Sequence, residues 1–162
     1  MALKIPLVLG TDGLPQQLQP GDTTTTNVST TSVRAVTNGE AATVLPFGTP
    51  VYTSAADTVK RAQANAKTTG KVIGLMYDAT TAAAAIGNVA TDGLMVGSTA
   101  QWDAITGQTG GLTFNSTYFL DPTTAGKLTT TPPSTAGQVN VLIGTAISAT
   151  ALDLEIQPPI LL

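Results

Sequence analysis

The chain contains no cysteine and no histidine. Without cysteine there is no disulfide, no thiolate nucleophile and no sulfur-ligated metal site. Without histidine it lacks the side chain most used for proton transfer near neutral pH, which is also the commonest metal ligand. Both gaps argue against an enzyme. Charge is scarce too: 10% of residues are Asp, Glu, Lys or Arg, against about 25% in an average soluble domain. The net charge of −3 offers no basic footprint, so nucleic acid is not expected as a partner. Aromatic residues amount to 4%. Trp102, Tyr52, Tyr77 and Tyr118 are therefore expected in the core or at subunit contacts rather than stacked on sugars. No apolar stretch approaches the ~20 residues of a membrane span, so no membrane association is expected. The start, Met1 to Gly10, lacks the apolar region and small-residue cleavage site of a signal peptide.

What fills the chain instead is threonine, glycine, alanine and proline. Its 162 residues are enough for one domain with a core that needs no covalent staple. Threonine favours pleated, half-buried surfaces. Low charge combined with a mean hydropathy of +0.21 is unusual for a free monomer, which normally keeps a charged surface. Much of the surface is expected to be covered by partners.

The texture changes near residue 37. Residues 1–37 read as an extended N-terminal arm. It opens with the alternating Leu3, Ile5, Leu7 and Leu9, a pattern that suits a strand added to a sheet. The turn signal Thr11-Asp12-Gly13 follows, then Leu14 to Asp22, then a Thr- and Ser-rich run to Thr31 that has too little apolar content for a core of its own. Residues 38–162 read as a β-barrel or β-sandwich domain, because turn chemistry recurs every 8–12 residues with little helix between. Strands are expected at Pro50 to Tyr52, Lys71 to Tyr77, Thr117 to Leu120 and Gly126 to Thr129. Val59 to Ala64 reads as a strand, or as part of a short helix over 55–67. Gly87 to Val96 reads as two strand segments around an Asp-Gly turn or bulge. One short helix is expected over Ser98 to Ile105, capped by Ser98, with Trp102 and Ile105 on one face. Val139, Val141 and Ile143 alternate on one strand. Leu152, Leu154 and Ile156 do so on the next, joined by a tight hairpin at Ser148 to Ala151. Pro158-Pro159 ends the last strand, and Ile160, Leu161 and Leu162 form an apolar tail that needs cover.

No constellation here supports a reaction. Asp153 and Glu155 stand two apart on one strand face, whereas a glycosidase pair flanks a sugar across about 5–9.5 Å from separate elements. The Thr-Asp-Gly triplets at residues 11–13 and 91–93 hold single acids before glycine, which form turns; a calcium loop needs several oxygen ligands in series. The glycines match no phosphate-binding loop. Lys60-Arg61, the only basic doublet, reads as a solvated face. No catalytic, cofactor-binding or metal-binding residue is assigned.

An ordered set of motifs carries a resemblance. It begins with Leu14-Pro15-Gln16-Gln17-Leu18-Gln19-Pro20-Gly21-Asp22 and continues through Val36 to Glu40, Gly48 to Tyr52, Ile73-Gly74-Leu75 and Thr91-Asp92-Gly93. Gly110 to Thr113, Tyr118 to Asp121, Gly126 to Thr129, Val141 to Ala146 and the Pro-Ile-Leu-Leu end complete it. Together they resemble small structural proteins of tailed-bacteriophage virions, of the capsid decoration (cement) type or the fibre-base and spike type. The resemblance spans nearly the whole chain and brings no catalytic residues. It implies a β architecture, synthesis in the host cytoplasm and a place on the capsid surface. The expected partners are the major capsid protein and further copies of the chain, as a homotrimer. The expected contacts run through the arm (Leu3, Ile5, Leu7, Leu9, Leu14, Leu18) and the tail (Ile160, Leu161, Leu162). The alternatives are a head- or tail-fibre base or spike module and, from a different class, a carbohydrate-binding module.

Overall fold

The computed structural model describes residues 31–162 and, before them, the backbone of two strands, β1 (Leu7–Leu9) and β2 (Pro15–Gln17). These pair antiparallel, with Val8 opposite Gln16. Leu3, Ile5, Leu14 and Leu18 lie outside the described residues, as do the side chains of Leu7 and Leu9. The first half of the domain contains β3 (Ser32–Asn38), β4 (Leu45–Pro46), β5 (Pro50–Ala55), β6 (Thr58–Arg61), β7 (Val72–Met76), β8 (Thr80–Thr81) and β9 (Ile86–Val96). The second half contains the helix α1 (Thr99–Thr106), β10 (Thr117–Leu120), β11 (Leu128–Thr129), β12 (Val139–Asn140), β13 (Leu142–Ala146), β14 (Ala151–Leu154) and β15 (Ile160–Leu161).

The fold is all-β with one short helix, and β9 organises it. Strands β9, β3, β6, β5 and β7 follow one another, and β7 pairs back onto β9, closing a five-stranded barrel. Closure removes the unpaired edges that an open sheet would expose. Beyond the barrel β9 continues, and its last residues pair with β14. From there β14, β13, β10 and β11 extend an open antiparallel sheet. Two pairs, β4 with β8 and β12 with β15, stand beside this framework.

Strand alternation divides the apolar side chains between two cores. Val36, Leu45, Val51, Val59, Met76 and Val89 fill the barrel. Leu75 and Ala90, the neighbours of Met76 and Val89 in sequence, point the other way and join Met95, Tyr118, Ile143, Leu152 and Trp102 in the second core. Strand β7 is buried on both faces for that reason, which accounts for its uninterrupted apolar run. Gly74 lets β7 and β9 approach: a Cβ there would lie 2.3 Å from both the Ala90 carbonyl oxygen and Val89 Cγ1.

Helix α1 closes the second core as expected. The Ser98 hydroxyl accepts from the Gln101 amide, and Gln101 Oε1 accepts from the Ser98 amide, completing a capping box. Gly107, at φ 70°, ends the helix in the left-handed conformation. Trp102 and Ile105 face inward, and the Trp102 ring meets Phe47 edge-on at 5.3 Å. Residues 55–67 contain strand β6, so the strand reading of that segment is the right one.

Three boundaries differ from the sequence expectation. The domain begins at Ser32, not residue 38: β3 runs antiparallel to β9 and parallel to β6, so 32–37 belong to the barrel instead of an arm. Polar-looking Ser32 to Ala35 hid this, because only Val36 and Asn38 of the strand are buried. Gly87 to Val96 is part of one eleven-residue strand, so of the turn and the bulge that the sequence left open the bulge is the one present. The register against β3 slips at Thr91, with Ser32 opposite Asp92 and Val33 opposite Ala90, and this bulge sits next to Gly93 (φ 88°) where β9 changes partners. The tail does not hang free. Ile160 and Leu161 pair with β12, and the Leu162 amide donates to the Gln138 carbonyl at 3.0 Å. The two prolines only interrupt pairing, after which the backbone finds a new edge.

Candidate functional site

The second sheet packs one face on the core and presents the other outward. Tyr118, Ile143, Leu152, Leu154 and Met95 point in. Between them, Leu94 on β9, Asp153 on β14, Thr145 on β13 and Thr117 on β10 are direct cross-strand neighbours and form one outward row. Phe119 and Leu142 form the next pair on the same side. Val96 and Ile147 extend the face at the opposite end, 60% and 49% exposed. Phe114, 72% exposed, precedes Asn115, whose amide donates to the Ala146 carbonyl next to Ile147.

An outward sheet face is normally polar, giving the alternation of an antiparallel sheet with one wet side. This one is aliphatic and aromatic with threonine between, and Asp153 is the ionisable group within the row. Leu94, Phe119 and Leu142 are half-buried while Val96 and Ile147 stand exposed, and apolar side chains gathered on an outward face in this way are the feature that marks an interaction site. The chain also enters the domain here: the Thr31 hydroxyl donates to the Leu94 carbonyl at 2.5 Å. Thr31, where the continuously described residues begin, therefore sits beside this face.

The residues singled out from sequence scatter by comparison. Trp102 and Tyr118 are wholly buried. The Trp102 indole N–H donates to the Thr150 carbonyl, and the Tyr118 hydroxyl donates to Gln108 Oε1. Tyr52 packs against the second core, and Tyr77 is the exposed one of the four, at 41%. Asp153 sits half-buried in the row above and Glu155 is exposed beyond the end of β14. Arg61 is not solvated alone; its Nε and amide both donate to Glu40 Oε1. Asp92 is exposed at the β9 bulge, and Asp12 lies outside the described residues. Among the described residues no three acids come together as metal ligands, and no helix is long and apolar enough to cross a membrane.

One carboxyl is perturbed. Burial pushes the Asp121 pKa up, but the Thr123 hydroxyl and the Thr124 and Thr123 amides donate to its Oδ1 and outweigh burial, holding it below the ordinary value. That is the chemistry of a rigid turn after β10.

Of the expected contact residues, Ile160, Leu161 and Leu162 are described, and their side chains are 62%, 61% and 41% exposed on a paired backbone. The outward sheet face was missed. Its signal was present in Leu94-Met95-Val96, Tyr118-Phe119-Leu120 and Val141-Leu142-Ile143: an apolar run without alternation leaves one apolar side facing out unless both faces are covered.

Fold and surface together define an all-β protein in which a closed barrel and an open sheet share one strand, with an apolar face turned to solvent. Compared with known proteins, the chain matches no family model and no curated protein.

Proposed function

We propose that the protein is a bacteriophage capsid decoration (cement) protein that docks on the outer shell and holds neighbouring capsid subunits together. The observation that carries this reading is the apolar outward face of the second sheet, on a chain whose surface has very little charge. Such a face is suited to permanent burial against a partner. The ordered motif resemblance points to the same class. The place of Thr31 supports it as well, because the described domain begins beside Leu94 on this face. Ordering an extended segment costs about 1–2 kcal/mol of backbone entropy per residue, a cost offset when many copies engage one lattice.

The test is rebinding to capsids stripped of this protein, followed by sedimentation and cryo-EM. Wild type is expected to bind on the order of hundreds of copies per particle by the multivalent logic above. Deleting residues 1–20 is expected to abolish retention while the β domain stays folded by circular dichroism. Val96→Lys with Ile147→Lys is expected to weaken binding through the face. Full occupancy by the deletion and the double variant together would sink the reading. Density at only a few positions per particle would favour the fibre-base or spike role instead.

A further inference from the structure

A second surface feature lies on the opposite logic, concave where the sheet face is flat. An open groove of about 590 Å³ runs between the start of β7 and the segment that follows β14. Val72 and Ile73 form its floor. Val72 packs towards the second core and Ile73 towards the barrel, so the groove opens along the seam where the two cores diverge. Ile156, Pro158 and Pro159 form the facing wall. Proline offers no N–H and has a fixed φ, so this wall is apolar and preformed. The Gln157 amide ties it to the Leu142 carbonyl at 3.0 Å, and on the other side the Val72 amide is held by the Gly70 carbonyl at 2.9 Å.

The polar groups at the rim are few, and none is acidic. Thr53 and Thr68 bring hydroxyls, Gln157 a neutral amide and Lys71 an ammonium, the one charge that lines the groove. Among the described residues the ion pairs are Arg34 with Asp57 and Arg61 with Glu40, which leaves the Lys71 ammonium unpaired. A volume of this size with apolar walls and a few polar anchors is the form of a small-molecule site. We propose that the groove binds an aliphatic carboxylate, its hydrocarbon chain lying along Val72, Ile73, Ile156 and the prolines and its carboxylate meeting Lys71. Charge complementarity sets the sign of the ligand, and the rigid wall lowers the ordering cost of binding.

The test uses the full chain and three ten-carbon probes: decanoate, decanol and decyltrimethylammonium, followed by amide shifts in nuclear magnetic resonance. Decanoate at millimolar concentration is expected to move the amides of residues 68–73 and 156–157. Lys71→Gln is expected to weaken decanoate by about two- to fivefold, the range of an exposed ion pair, and to leave decanol unchanged. Thr53→Trp, at an exposed position on the rim, is expected to block both. The proposal is overturned if decyltrimethylammonium binds as well as decanoate, if no shift arises, or if the shifts centre on Leu94, Val96 and Phe119. It is also overturned if Thr53→Trp turns a wild-type oligomer into monomer by sedimentation, because a second copy then occupies the groove.

Discussion

Trp102 shows how one residue can be read two ways. Its flat ring invites a sugar-stacking role, yet it is fully buried, meets Phe47 edge-on and donates its indole N–H to Thr150. Replacing it with phenylalanine keeps a ring in the core but removes the indole hydrogen bond to the Thr150 carbonyl, which keeps only the Gly97 amide, and leaves a cavity where the larger ring packed. The expected cost is about 1–3 kcal/mol in urea unfolding. Asp121 adds a pH term. Its folded pKa is depressed, so its contribution is complete above the unfolded value near ~3.9 and is lost as pH falls through the folded value. Asp121→Asn is expected to flatten that part of the acid unfolding curve, and an unchanged curve would assign the loss to other carboxylates.

At the scale of elements, local signals and long-range pairing did different work. Helix α1 was legible because Ser98, Gln101, Trp102, Ile105 and Gly107 hold their meaning within one short segment. Ser98→Ala breaks the capping box and is expected to cost about 1 kcal/mol of stability, read as a lowered urea midpoint. The hairpin of β13 and β14 was legible in part: the Ile147 amide donates to the Ala151 carbonyl across the expected turn, but Val139, expected on the same strand as Ile143, belongs to β12 and pairs with β15. Strand β3 was not. Its Ser32 to Ala35 end looks like arm, and it is strand only because Asn88 to Asp92 of β9, far along the chain, supply the ladder. Strand β15 is similar: Pro158-Pro159 correctly marks an interruption, but the edge that captures Ile160 and Leu161 belongs to Val139 and Asn140.

The whole molecule is two cores joined through β9. Because β7 and β9 contribute alternate residues to both, neither core can lose its strands without exposing the other. Unfolding is therefore expected to be one cooperative transition. Met76→Ala in the barrel is expected to cost about 2–5 kcal/mol and to shift the Trp102 fluorescence midpoint, reported from the second core, by the same amount as the circular dichroism midpoint. Separated midpoints would show the two cores to be independent. The outward face of the second sheet is also a property of this scale, since its row comes from β9, β14, β13 and β10 at once.

The sequence by itself determined the fold class. Missing cysteine and histidine removed most routes to chemistry. Abundant threonine, regular turn signals and alternating apolar residues specified an all-β domain with one capped helix, because these preferences act over a few neighbouring residues. Tertiary structure alone decided that the barrel closes, that Ser32 to Thr37 lies inside it, that the C-terminal residues return as a strand, and which apolar faces stay outward. Each depends on which distant strand supplies the next hydrogen bonds and covers the next face. Periodicity shows that a strand has two sides but not what lies against either.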